Sequence, residues 1–245
     1  MKKSENNHEF EILLRRGVKI TSLNVLRLLD DAQHPHVSPP TISALTELAF
    51  EEASKASQLI AFLIFVVTYP HATGKNDGIQ SEEYDEEVID PIVDFEDYFN
   101  RHLRNHHFKL QEMLKRLEDI LETLKNWFAT SGYVGNLRSL DGVRRVLTHP
   151  KLTELKESGF YVDFRDKRFR NVKPGDKRLV NELYLLSSIV ALGGLAIIGN
   201  RTYQERAVNH VLVGISRVPN VEIDVESEKS LRQFISDTVR NQTRK

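Results

Sequence analysis

The chain has 245 residues, of which 40% are hydrophobic and 28% charged, and this composition excludes an intrinsically disordered protein. Its 34 Lys and Arg residues nearly balance its 35 Asp and Glu residues, which excludes a uniformly basic nucleic-acid-binding surface, so any such site must be a local patch. The absence of Cys excludes disulfides, thiolate metal sites and a Cys nucleophile, and favours a cytoplasmic protein.

The first part of the chain predicts two long helices and then an acidic loop. Apolar residues recur at helical spacing over residues 10–32, and a His-Pro-His sequence ends this helix. A second helix is predicted over residues 41–68, between a Ser-Pro-Pro sequence and a Tyr-Pro sequence. Residues 74–91 carry seven Asp and Glu residues, which predicts a solvated insertion. A regulatory or partner-binding segment is the alternative interpretation.

The rest of the chain predicts more helices, separated by irregular segments. Residues 93–128 form the clearest amphipathic pattern, with apolar positions three or four residues apart. Gly and Pro residues break the segment 131–158 into short helices, and residues 159–174 form an irregular or short extended piece. The remaining predicted helices cover residues 177–198, 200–217 and 227–240.

These patterns predict an all-α protein, a helical bundle with an acidic loop insertion and short irregular segments. We expect a main domain over residues 1–218 and a C-terminal helical extension over residues 219–245. The two most apolar stretches, residues 59–69 and 184–199, are shorter than the roughly 18 residues of a membrane-spanning helix. We therefore expect buried core helices and no membrane attachment.

Charged residues interrupt the apolar stripe of the second predicted helix. The stripe through Leu45 and Leu48 continues to positions 52 and 55, where Leu would be the ordinary residue. These positions hold Glu52 and Lys55, and Glu51 lies one step around the helix. A carboxylate and an ammonium group are therefore expected on or beside the surface that faces the core.

The helix predicted over residues 93–128 has a similar interruption. Its stripe needs an apolar residue at position 106 or 107, and both are His, in a segment rich in cations. Because several buried charges are tolerated only if they satisfy one another, we predict one polar cluster between the two helices. A purely structural buried network is the alternative. The predicted members are Glu51, Glu52, Lys55, Arg101, Arg104, His106 and His107.

Arg and His together suit metal-independent RNA cleavage. His exchanges protons with the ribose 2′-hydroxyl and the leaving oxygen near neutral pH, and Arg stabilises charge on the phosphorus oxygens. A metal ion held by His102 and His106 with the two Glu residues is the competing chemistry. Lys55 would oppose a cation there, so no metal and no cofactor are predicted.

Binding without chemistry is a third option. A basic run with two interleaved Phe residues could contact phosphates and stack bases. An ordinary charged loop with no binding function is the alternative interpretation of the same pattern. The run consists of Arg165, Lys167, Arg168, Arg170, Lys173, Lys177 and Arg178. Lys109 is a further candidate for contact with nucleic acid.

Three segments resemble the AbiV-type abortive infection proteins of the HEPN superfamily. Residues 44–56 resemble the family's A-x-E-E-x-G-K helix, with Ser54 in place of the Gly. Residues 104–110 resemble its R-S-H-x-x-K-L helix, and residues 155–163 its L-R-x-x-G-L-Y-V-D segment, with Pro174 at the expected distance. The order and separation agree over roughly residues 13–195.

The resemblance implies a helical bundle that forms a homodimer and an antiphage toxin that acts on RNA or on translation. HEPN ribonucleases carry an Arg-x4-6-His motif, which Arg101 fits with His106 or His107, and Arg104 with His106 is the other pairing. We expect Arg to stabilise the phosphorane, His106 to act as acid or base, Glu52 and Lys55 to orient them, and Glu51 to support the cluster. The alternative is a non-catalytic dimeric module that binds RNA or a protein and either blocks translation or senses a phage protein.

Overall fold

The computed structural model describes residues 2–68, 163–165, 168–170 and 176–217, together with Lys229 and Gln233, which are helical. The elements in this part of the chain are α1 (Lys2–Gln33), α2 (Pro39–Thr68), β1 (Asp163–Arg165), β2 (Arg168–Arg170), α3 (Lys177–Ile197) and α4 (Arg201–Arg217). The predicted all-α class is confirmed. The predicted acidic loop 74–91, the predicted helix 93–128 and the segment 131–158 lie outside the described residues, as does most of 219–245.

The first two helices begin earlier than their apolar stripes predict. The helix α1 starts at Lys2. Residues 2–9 are polar and give no apolar stripe, so the stripe did not predict this start, but their Lys and Glu residues favour helices. The helix α2 starts directly after Ser38, whose carbonyl accepts the first helical bond from the amide of Ile42 at 2.9 Å. Pro39 suits the first helical position because its missing N–H would have no partner there.

The helices α3 and α4 form an antiparallel pair with defined ends. The Asp176 carboxylate caps α3 by accepting the amides of Arg178 and Leu179, at 2.8 and 3.1 Å. Gly199 follows α3 with a φ of 69°, and the amide of Asn200 donates 2.9 Å back to a carbonyl of the last turn. This Schellman turn reverses the chain so that α4 packs on α3.

The four helices share one main core and one smaller core. The helix α1 packs along α2, α3 packs on both of them, and α4 lies mainly on α3. Ala49, Ala53 and Ala56 of α2 are fully buried in the main core, where their small side chains allow close helix contact. The smaller core joins the start of α1 to the end of α2 and contains Phe10, Leu14, Val18, Leu59, Leu63 and Val66.

The helix α3 is the most apolar of the described helices. Over an 18-residue window its mean hydropathy is 1.6, so by length and composition it could cross a membrane. However, 72% of that window is buried inside the protein, and Leu183, Leu186 and Leu195 are fully buried. The interpretation of the stretch 184–199 as a core helix is confirmed, since most of it lies in α3.

The two strands form a short antiparallel ribbon in the segment predicted to be irregular or extended. Position 163 pairs with 170, 164 with 169, and 165 with 168. Because paired positions share a face and faces alternate along a strand, positions 163, 165, 168 and 170 lie on one face of the ribbon. That face therefore carries three of the predicted basic positions, Arg165, Arg168 and Arg170.

Candidate functional site

The helix α2 buries a strip of polar residues along one face. The side chains of Glu47, Glu51, Ser54 and Gln58 recur four, three and four residues apart, which places them on the same side of the helix. All four are at most 5% exposed, and none is without a partner. We call these four residues the α2 polar strip.

A second pair of charged residues lies beside this strip. The Lys55 ammonium forms an ion pair with the Glu52 carboxylate one turn earlier, and their side chains are 23% and 18% exposed. They share their side of α2 with Leu45 and Leu48, which are also only partly buried. The predicted stripe thus runs along a partly buried side of α2, and the most deeply buried carboxylates of the helix are Glu47 and Glu51.

The strip is buried because α2 is covered on more than one side. Its Ala face packs on α1 and α3, whereas Ser54 and Gln58 on the opposite side are each 0% exposed. Burial of a carboxylate is costly unless hydrogen bonds or cations compensate for the lost water.

Several of the predicted site residues lie outside the part of the chain that the structure describes. Arg101, Arg104, His106, His107 and Lys109 lie outside the described residues, so their contact with α2 stays a prediction. Lys167 and Lys173 lie outside them as well.

The end of the predicted basic run belongs to a helix. Lys177 and Arg178 form the first turn of α3, and Nε of Arg178 donates to Oε1 of Glu182 at 3.0 Å. Burial raises the pKa of the Glu182 carboxyl, and Arg178 partly opposes that shift. Arg178 is thus already paired within its own helix, whereas the arginines of the ribbon belong to a separate element.

A second polar cluster joins α1, α3 and α4, and sequence reasoning missed it. The Tyr184 hydroxyl donates to Nδ1 of His210 at 2.5 Å, and Nε2 of His210 donates to Oδ1 of Asp30 at 2.9 Å. Gln33 donates to the Tyr184 oxygen, and Arg206 forms an ion pair with the other Asp30 oxygen. We call these five residues the α4 polar cluster.

Both central members of the α4 polar cluster are buried, at 0% exposure for Tyr184 and 4% for His210. Burial lowers the pKa of His210 to about 4, and the positive charges of Arg206 and Arg217 act in the same direction. The Asp30 carboxylate alone would raise this pKa, but it is half-exposed and already paired with Arg206. At neutral pH His210 is therefore neutral, with its proton on Nε2.

A signal for His210 was present in the sequence. His210 interrupts the stripe of Ala207, Val211 and Gly214 in the same way that Glu and Lys interrupt α2. Its partners could not be inferred, because Tyr184 is 26 residues and Asp30 is 180 residues away in the chain. Arg217 adds a cation–π contact, with Cζ 4.6 Å from the centroid of the Tyr184 ring.

The described helices and strands contain no group of three or more His, Asp or Glu residues that could hold a metal ion. Of the two clusters, the α2 polar strip lies in the helix that carries the motif-like residues 44–56, and we take it as the candidate site.

Comparison with known proteins identifies the family of the chain. The model of the AbiV family of HEPN proteins matches residues 13–176, which include the α2 polar strip and all three motif-like segments. No curated protein and no solved structure matched the chain. The match covers well over half of the 245 residues, and the chain belongs to the HEPN-type AbiV family.

Proposed function

We propose that this protein is an abortive-infection toxin that cleaves RNA as a metal-independent HEPN-type endoribonuclease. One observation carries the proposal: the matched α2 helix buries two carboxylates, Glu47 and Glu51, that demand cationic or hydrogen-bonding partners. The Arg- and His-rich segment 101–109 offers such partners within the same matched range.

The proposed reaction is a transesterification at a ribose phosphodiester. His106 removes the proton from the 2′-hydroxyl, whose oxygen attacks phosphorus while the bond to the 5′-oxygen breaks. The leaving oxygen takes up a proton, and Arg101 or Arg104 stabilises the negative phosphorane oxygens. A buried carboxylate such as Glu51 would orient the cations.

The test is incubation of the purified protein with total RNA in the presence of EDTA. The wild type should produce fragments, His106→Ala should produce none, and His36→Ala should match the wild type, since His36 lies exposed in the turn between α1 and α2. Absence of cleavage by the wild type, or unchanged cleavage by His106→Ala, contradicts a HEPN-type ribonuclease.

The ribbon favours a second candidate function, a non-catalytic module that binds RNA or a protein. Its register puts Arg165 opposite Arg168 on the face that also holds Arg170. Three arginines on one small face are suited to phosphate groups. In this case the double change Arg168→Glu with Arg170→Glu should abolish antiphage protection, and His106→Ala should leave it intact.

The oligomeric state, the cellular location and the activator are also proposals. We infer a homodimer, as the family resemblance implies, and we further infer that it is cytoplasmic, has no membrane attachment and is activated by a phage protein. Light scattering of the purified protein tests the dimer, because a monomeric mass at micromolar concentration would exclude a stable one. Co-expression with individual phage proteins tests the activator.

A further inference from the structure

The helix α4 lies at the edge of the described bundle. It packs along α3 and makes only a small contact with α1. Its outer side is open to solvent, where Thr202, Glu205 and Ser216 are exposed. Its fully buried hydrophobic residues, Ala207 and Val211, are small, so the apolar area that they bury is modest. An element with little buried apolar surface opens at a lower cost than the core of its domain.

The α4 polar cluster joins this edge helix to the rest of the bundle. His210 donates to Asp30 of α1 and accepts the hydroxyl of Tyr184 of α3, so one side chain of α4 is bonded to two other helices. Arg206, one turn earlier in α4, adds an ion pair to Asp30. The imidazole is thus a donor to one helix and an acceptor from another, a combination that only its neutral form offers.

The groups around the imidazole make a second proton unfavourable. Asp30 faces it from α1, Tyr184 from α3, and Arg206 and Arg217 from α4. Asp30 favours the charged form, but burial and the two arginines oppose it, and the pKa of His210 is about 4. A proton on Nδ1 would remove the acceptor of the buried Tyr184 hydroxyl and bring three positive charges together. Movement of α4 into water relieves all of these costs at once.

We propose that the α4 polar cluster is a latch, and that protonation of His210 releases α4 as a unit while α1, α2 and α3 stay packed together. The latch is closed at neutral pH and opens more often as the pH falls towards 5. This opening is local, in addition to any change in the stability of the whole fold. It does not depend on RNA cleavage, and α4 lies beyond the family-matched residues 13–176.

The chain contains no Cys, so a single introduced thiol can report the opening. Ala207→Cys places a thiol on the buried side of α4, and the matched control Ala53→Cys places one in the core on α2, since both alanines are 0% exposed. Labelling by a dipyridyl disulfide is measured in each folded variant at about pH 7.5 and about pH 5. Each rate is divided by the rate in the urea-unfolded variant at the same pH, which gives the fraction of time for which the thiol is open to solvent.

The open fraction in Ala207→Cys should rise about thirtyfold between these two pH values, because opening returns the pKa of His210 from about 4 to its ordinary value of 6.5. The additional change His210→Gln should abolish this rise. At both pH values the open fraction in Ala53→Cys should be lower by about tenfold or more, because that site opens only when the whole bundle unfolds. Val211→Cys is a second reporter on α4, also at a position that is 0% exposed, and should agree with Ala207→Cys.

Two results would overturn the latch. Equal open fractions in Ala207→Cys and Ala53→Cys would show that α4 opens only together with the whole fold. A larger open fraction in Ala207→Cys that is independent of pH, or that rises equally with His210→Gln, would show that α4 opens without His210 as its switch. Urea unfolding of each variant corrects the comparison for any difference in global stability.

Discussion

Protonation of His210 should destabilise the fold, and the structure gives the size of the effect. The imidazole accepts the Tyr184 hydroxyl and donates to Asp30, and it faces the guanidinium groups of Arg206 and Arg217. A proton added at Nδ1 would meet the amide nitrogen of Gln33 at 3.1 Å and introduce a buried positive charge near two others. His210→Gln removes this titration.

The magnitude follows from linkage between proton binding and folding. The pKa of His210 is about 4 in the folded protein against an ordinary value of 6.5, so the unfolded chain binds the proton more tightly. The stability of the fold is therefore full above about pH 6.5, falls as the pH drops towards 4, and changes no further below that. The total loss from this group is about 3 kcal/mol, of which about 2 kcal/mol is lost by pH 5.

The assay is urea unfolding of the wild type and His210→Gln at several values between about pH 7.5 and pH 5. At pH 7.5 the variant should be less stable by about 1–3 kcal/mol, because it loses a buried hydrogen-bonded group. Other titrating groups are common to both proteins, so the stability difference should shrink by about 2 kcal/mol towards pH 5. His36→Gln, in the exposed turn, should keep the wild-type pH dependence.

A stability difference between wild type and His210→Gln that is constant from pH 7.5 to pH 5 would refute this reasoning. It would mean that His210 binds protons equally well in the folded and unfolded states. The α4 polar cluster would then be open to water, or Asp30 would compensate fully for burial.

Three further predictions concern α3. Gly193→Ala should raise the free energy of unfolding by about 0.5–1 kcal/mol, because a Cβ there meets nothing within 4 Å and Ala favours helices. Gly194→Ala should lower it by about 1–3 kcal/mol in the same urea titration, because its Cβ would lie 2.5 Å from Oγ of Ser22; equal effects of the two changes would contradict the close contact. Asp176→Ala should cost about 1 kcal/mol through loss of the cap of α3, and Asp176→Ser should recover most of it by the same measurement.

The sequence predicted the described helices because each carries a long apolar pattern bounded by Pro or Gly. The ends of α2, α3 and α4 differ from the predicted ends by at most two residues. The start of α1 was missed because its first turns make no apolar face, and periodicity has no signal there.

The candidate site was predicted less completely. The sequence showed that charged residues interrupt the apolar pattern of α2. The prediction of which charges are buried assumed, however, that the helix buries only one face. Because α2 is covered on opposite sides, the most deeply buried carboxylates are Glu47 and Glu51, and the Glu52–Lys55 pair lies on a partly buried side between them and the core.

By itself, the sequence determined the class of the fold, the order of the described helices and the family, since these depend on local periodicity and on short motifs. Only the tertiary structure decided which polar residues of α2 are buried and which residues surround His210. Burial depends on what packs around a helix, and the α4 polar cluster joins residues up to 180 positions apart. The spacing of residues that are neighbours in the sequence determines neither property.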